Sequence, residues 1–331
     1  MKCAKLIVVT VLALLAVQAP ALAEKPNPLL LGEYELDRNN GVVDGDTIRC
    51  WKLDGGVRIL GVDAEETFKS LDDRRAAGLD YDAYRAAKLA ANDLPVKYGS
   101  FIGEEGAHFA RDFFQGVKSV RLEYDSAARK KDIYGRHLCY VFATPRNAKS
   151  EQNFSVELVR AGYSPYSAKY GHSLRFRKEF ESAQKEAREA GRGIWNPKAM
   201  GYRDYDKRLE WWNARAEQLE KLARSFTGDT DIDLAADAAT ETLGKAAGKS
   251  VRLLCSMAEM KDAFVQEDKS AHMWCTVSPQ CRVKVIFAEG MFEACKVLEL
   301  RGWYVLARGT LTADGRNYTL TITRAEDFKK A

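Results

Sequence analysis

The residues that could do chemistry sit close together early in the chain. Asp44 and Asp46 stand two apart in Val43-Asp44-Gly45-Asp46-Thr47-Ile48. Arg58, Asp63, Ala64 and Glu66 follow in Val57-Arg58-Ile59-Leu60-Gly61-Val62-Asp63-Ala64-Glu65-Glu66. A second arginine comes later, in Tyr134-Gly135-Arg136. Two aspartates that meet across neighbouring strands, with a backbone carbonyl and waters, make an all-oxygen shell of the kind hard cations such as Ca²⁺ prefer. A third carboxylate can take or orient the proton of a water. Planar guanidinium forks neutralise phosphate oxygens in pairs, which a lysine does less well. Such a set is suited to hydrolysis of a phosphodiester.

These side chains need two strands and a tight turn to bring them together. Residues 41–52 alternate apolar and polar side chains, Asp54-Gly55-Gly56 is a hairpin turn signal, and 57–62 read as the returning strand. Side chains two apart on a strand share a face, so Asp44 and Asp46 project together. Asp63 ends the returning strand, at the edge where the two far ends meet. Taken singly, each residue has a plainer explanation. Asp-Gly is a common turn dipeptide, Arg58 could pair with a surface acid, and Tyr134-Gly135-Arg136 could be only a hairpin turn. The ordered combination favours the chemical reading.

The rest of the N-terminal half supplies a scaffold. Residues 24–40 read as a leader, and 67–97 as an insertion with a helix over 80–92. Further helices are expected over 104–115, 156–161 and 174–190, and strands over 117–124 and 136–144. Five strands with helices between and after them predict a mainly β fold with α, an OB-type barrel capped by helices. Residues 198–249 read as a helical connector, with helices over 205–224 and 234–247, and 250–331 as a second small β-rich domain, OB-like by expectation. Its strands are expected over 251–254, 273–277, 282–287, 302–312 and 318–324.

Composition sets wider bounds. A chain of 331 residues suggests about two domains, and 46% hydrophobic residues argue against global disorder. The net charge of +4 implies no strong basic footprint, so any nucleic-acid surface must be local. Arg129, Lys130, Lys131, Arg136 and Lys169 are the local candidates, although 129–131 read equally well as a solvated loop. Lys2 and Lys5, an apolar run and Ala21-Leu22-Ala23 predict a cleaved signal peptide over 1–23. An exported protein, periplasmic or secreted, with no later membrane span and monomeric, is expected. Six cysteines then remain, and disulfides rank above a four-cysteine zinc site because no Cys-x-x-Cys pair occurs. Cys50 and Cys139, on strands sharing one core, are the pair most open to bridging.

The same pieces carry a family resemblance. Val43 to Thr47, Arg58 to Glu66, Asp132-Ile133-Tyr134-Gly135-Arg136, Leu158-Val159-Arg160-Ala161-Gly162 and Gly193-Ile194-Trp195 together resemble the staphylococcal nuclease (thermonuclease) family over roughly residues 35–197. The resemblance implies that Asp46, Asp63 and the Ala64 carbonyl hold one Ca²⁺, with Asp44 a neighbouring acid. It implies Glu66 as the base or water-orienting group, Arg58 and Arg136 on the phosphate, and Tyr134 and Tyr170 lining the cleft. The implied reaction is P–O5′ cleavage of DNA or RNA leaving 3′-phosphates. Four departures stand out. Glu65 replaces the family's usual proline, which predicts a looser turn and an extra negative charge beside the metal, and the 67–103 stretch is longer than usual. Ala168 and Ile133 stand where the family has a cleft tyrosine and a lysine. A binding module without catalysis on the same fold is the alternative, and a C-terminal domain that binds an unidentified partner is a third.

Overall fold

A computed structural model describes residues 27–90, 96–257, 271–315 and 317–331, together with the backbone of a short strand at 263–265. The expected signal peptide over 1–23 lies outside the described residues.

The first sheet is built from β1 (Leu30–Tyr34), β2 (Thr47–Ile48), β3 (Val57–Ile59), β4 (Val120–Tyr124), β5 (His137–Ala143) and β6 (Gln152–Asn153). Its order is β1-β4-β5-β3-β2, with β6 added to β5. All its pairs are antiparallel except β3 with β5, where Arg58 stands opposite Leu138. β1 falls in the segment read as a leader. The alternating 41–52 segment forms only a two-residue ladder strand, extended by single bridges from Val42 to Ile48 and from Leu36 to Cys50. Inward Val57 and Ile59 are buried beside Leu122, Val141 and Phe154, whereas Arg58 between them faces out.

Three helices occupy the stretch between β3 and β4: α1 (Leu71–Leu79), α2 (Tyr81–Ala90) and α3 (Phe101–Phe114). Ser70 caps α1 by accepting from the Asp72 and Asp73 amides, and Ser100 caps α3 by accepting from the Gly103 amide. The insertion thus carries two helices where one was expected. α4 (Phe154–Arg160) and α5 (Arg177–Glu189) follow β6, and Phe180, Ala183 and Ala187 make the buried stripe of α5.

α6 (Tyr205–Leu222) joins the halves. Ala216 packs into the first core, while Leu222 meets Leu254 and Tyr304 beyond it. Trp212 is buried and Trp211 donates to the Gly302 carbonyl at 3.0 Å, so the tryptophan pair anchors the helix. Arg215, fully buried, donates to the carbonyls of Lys169 and Gly302 and to Ser256 Oγ, with Tyr304 4.1 Å below its guanidinium.

The second sheet comprises β7 (Asp231–Asp233), β8 (Ser250–Ser256), β9 (Ala263–Val265), β10 (Ala271–Ser278), β11 (Cys281–Phe287), β12 (Tyr304–Asp314), β13 (Asn317–Ile322) and β14 (Phe328–Lys330). α7 (Ala239–Ala246) precedes β8 and α8 (Met291–Ala294) lies between β11 and β12. The order is β7-β8-β12-β13-β11-β10-β9, with β11 and β13 parallel. The five main strands β8, β10, β11, β12 and β13 therefore repeat the first sheet's plan, first-fourth-fifth-third-second, with a helix after the third. The whole is a mixed structure consistent with an OB-like domain followed by a second β-rich domain. β7, which pairs in parallel with β8, falls inside the segment read as a helical connector.

The six described cysteines are all free thiols. Cys50 and Cys139 do share the first core, as expected, but the bridge between them is not formed. Burial pushes the Cys50 thiol up to about 12, as it does for a thiol surrounded by apolar side chains. Among the described residues no helix is long and apolar enough to cross a membrane.

Candidate active site

Two glycines bring the aspartates together. At Gly45 a Cβ would lie 2.7 Å from the Cβ of Ala64, so only a bare backbone lets the Asp44–Asp46 turn rest against residue 64. Gly61 has φ +76°, and a Cβ there would lie 2.3 Å from the Phe180 ring. The strand can therefore turn after β3 only with glycine, and the turn delivers Asp63 beside Asp46. Asp44 Oδ1 accepts from the Asp46 amide at 3.0 Å, which makes it the organiser of the first turn.

One guanidinium ties the pair. Arg58 Nη1 lies 2.8 Å from Asp46 Oδ2, and its Nη2 lies 2.9 Å from Asp63 Oδ1. The same nitrogens donate to the carbonyls of Asp46 and Val62 at 3.3 and 3.1 Å. Asp46 is further held by the Thr47 hydroxyl on Oδ1 and by the Ala64 amide on Oδ2, each at 3.1 Å. The Asp63 amide donates to Ser164 Oγ at 2.9 Å. Side-chain exposure rises from 9% at Asp63 and 17% at Arg58 to 28% at Glu66, so the cluster is least covered at the glutamate.

The electrostatics are those of crowded acids held by cations. Burial raises the Asp46 carboxyl, Arg58 opposes it, and the charges of Asp44 and Asp63 add to the rise. Burial works on Asp63 as well, but the Lys97 ammonium and the Arg58 guanidinium outweigh it and hold that carboxyl well below the usual range. Lys97 Nζ stands 2.9 Å from Asp63 Oδ1 and 3.8 Å from Glu66 Oε1. Lys69 Nζ reaches Glu66 Oε2 at 3.0 Å.

Arg136 immediately precedes β5, two residues before Leu138, the register partner of Arg58. Asp132 builds its turn, accepting from the Tyr134 and Arg136 amides at 2.9 Å and from Arg136 Nε at 2.7 Å. Tyr134 is exposed, with the Arg136 guanidinium 5.5 Å from its ring. Tyr170 is also exposed, with Arg129 and Lys169 each 5.2 Å from its ring. The 129–131 loop is not merely solvated: Asp237, just before α7, accepts from the Lys130 and Lys131 amides at 3.0 and 3.3 Å.

A family model described as staphylococcal nuclease homologue matches residues 56–197. An uncharacterized protein of Methanocaldococcus jannaschii is 33% identical over 161 residues, 47% of this chain and 69% of the relative. The chain belongs to the staphylococcal nuclease homologue family. A second uncharacterized relative, from Bacillus anthracis, is 32% identical over 99 residues, covering 30% of this chain and 42% of its own length. Members of this nuclease family typically hydrolyse nucleic acids. The match to the family model begins at Gly56, so Arg58, Asp63, Glu66, Arg136 and Tyr170 lie inside it, and Asp44 and Asp46 just before it.

The donors suit the hard cation that the nuclease family uses. Among the described residues no three His, Cys, Asp or Glu side chains cluster as a closed metal site. What is present is an open set of carboxylate oxygens, Asp46 and Asp63 bridged by Arg58, beside buried Ala64, whose amide donates to Asp46.

Glu65 departs from its expected place. It is 1% exposed and turns away from Asp63, taking the hydroxyls of Ser100 and Tyr205 and the Tyr202 amide. It therefore adds no charge beside the two aspartates, and it fastens the turn instead of loosening it. Tyr202 Oη receives the Glu66 amide at 3.1 Å, so residues beyond the matched domain help hold Glu66. Sequence reasoning gave no role to Asp132, Ser164, Lys97 or Tyr202. Of these only Asp132, at the head of a turn with glycine three residues on, carries a local signal.

Proposed function

We propose that this protein is an exported, calcium-dependent nuclease that hydrolyses DNA and/or RNA with little sequence preference, cutting the P–O5′ bond and leaving 3′-phosphates. The observation that carries this reading is the sharing of Arg58 by Asp46 and Asp63, with Glu66 three residues on and open to solvent. When bound, a divalent ion would supply positive charge against the phosphate oxygens. Asp46, Asp63 and the Ala64 carbonyl would hold it. Glu66 takes the proton of the attacking water or keeps that water in line with phosphorus. Arg136 and Arg58 neutralise the equatorial oxygens as charge gathers there. Tyr134 and Tyr170 are exposed aromatic side chains, and stacking of bases on aromatic rings is sequence-tolerant, which supports low sequence preference.

Digestion of single- and double-stranded DNA and of RNA, in calcium and in chelator, tests the reading. Expected are calcium-dependent fragments whose 3′ ends lose charge on phosphatase treatment. Equal cutting in both conditions counts against the metal role. One observation favours the alternative of a binding module without catalysis: ammonium groups already sit on Asp63 and Glu66. Retarded migration of nucleic acid in calcium without cleavage would decide for it.

A further inference from the structure

Among the described residues, Lys97 is the lysine that reaches the metal-side aspartate and the glutamate together, and the chain spends several contacts on keeping it there. Its Nζ is 2.9 Å from Asp63 Oδ1 and 3.8 Å from Glu66 Oε1, on the open side of the cluster. The backbone is pinned on both sides of it. The Val96 carbonyl accepts from Arg208 Nη2 at 2.7 Å. The Tyr98 amide donates to Tyr202 Oη at 3.2 Å, and that hydroxyl donates back to the Tyr98 carbonyl at 2.9 Å. The Gly99 carbonyl accepts from Tyr84 Oη at 2.9 Å, and the Ser100 hydroxyl donates to the buried Glu65. Arg208, Tyr202 and Tyr205 all come from the start of α6 or just before it. The Glu65 cluster and α6 together thus present one ammonium to Asp63 and Glu66.

We propose that Lys97 is a built-in stand-in for the divalent ion. In the metal-free protein it neutralises Asp63 and steadies Glu66. A divalent ion on Asp46 and Asp63 would share Asp63 with it or displace it, because two cations at hydrogen-bond range of one carboxylate that is only 9% exposed repel each other. Calcium binding is then weakened by the lysine and coupled to its release toward solvent, where its 39%-exposed side chain has room to move. The proposal rests on the calcium reading above and concerns residues of the insertion, which that reading does not use.

The test is calcium titration by calorimetry of the full chain as wild type, Lys97→Met, Lys97→Gln and Lys97→Arg, with Lys69→Met as a control for charge at the rim. Lys97→Met and Lys97→Gln should bind calcium about tenfold tighter or more, Lys97→Arg as wild type, and Lys69→Met within about twofold of it. Melting supplies a second readout. Lys97→Met should melt lower than wild type in chelator, where Asp63 is left with Arg58 and Glu66 with Lys69, and not lower in saturating calcium. Equal calcium affinity in wild type and Lys97→Met, or weaker binding in Lys97→Met, overturns the role of Lys97 while leaving the metal site standing. No binding heat from any of the proteins overturns the calcium reading itself.

Discussion

The molecule contains the same strand order twice, and only one copy carries a candidate active site. In the first sheet the third strand presents Arg58 outward across from Thr47, and the turn after it delivers Asp63. In the second, the third strand presents Lys284 across from Trp274, and the stretch after it, Ala288-Glu289-Gly290, leads into a short helix. There Lys284 Nζ lies 5.8 Å from the centre of the Trp274 ring, where Arg58 in the first sheet is shared by two aspartates. Fold is shared and side chains are not, so the chemistry belongs to a few grafted residues and not to the sheet plan. A second contrast lies within the site. Asp63 and Glu66 meet cations, whereas Glu65 between them meets two hydroxyls and an amide. The partners supplied by the fold thus separate Glu66, partly exposed beside ammonium groups, from Glu65, buried among hydroxyls and an amide.

The largest expected break in the first contrast comes from the cluster itself. Glu66→Gln and Arg58→Ala should each lower the hydrolysis rate by about 10² or more, with circular dichroism unchanged for Glu66→Gln. A loss under about tenfold in both would remove the chemistry from this sheet.

Glu65→Ala should act on stability first. It strands the Ser100 and Tyr205 hydroxyls and the Tyr202 amide, a cost of about 2–4 kcal/mol in denaturant melts. The pH sign follows from burial, which raises the Glu65 carboxyl against the lowering pull of Ser100 and Tyr202. The folded state then keeps a proton that the unfolded chain has released. This contribution favours folding at pH below the ordinary glutamate value and is lost as pH rises through the raised one. Glu65→Gln should flatten that slope, and an unchanged slope would remove Glu65 as its source.

Smallest of all is the effect expected in the second sheet. Lys284→Ala should leave the hydrolysis rate of a short oligonucleotide within about twofold of wild type. A tenfold loss would show that the second sheet shares in catalysis after all. Thiol labelling of the unfolded chain without reductant should modify both Cys50 and Cys139, since neither is bridged.

Much of this architecture is legible in the sequence because it is local. The Asp-Gly-Asp turn, the Asp-Gly-Gly hairpin and the Tyr-Gly-Arg turn set their own geometry, and they point directly to Asp46, Arg58 and Arg136. Helices with a clear apolar stripe, such as α3 and α5, lie within three residues of their expected ends. Long-range placements are not legible. Glu65 reads as an acid beside a metal, and its burial depends on Tyr202 and Tyr205, more than 130 residues on. Lys97 lies 34 residues from Asp63, and nothing in its neighbours announces the contact. β1 is hidden because a five-residue strand with glycine inside it has little pattern to show.

On the proposed reading, Asp46 and Asp63 together hold the cation that serves hydrolysis. Calcium titration of the full chain beside Asp46→Asn and Asp63→Asn, with the hydrolysis rate followed in the same samples, addresses it directly. The account predicts that each substitution weakens calcium binding by about tenfold or more and lowers the rate with it. Full calcium affinity and full rate in either variant would contradict it.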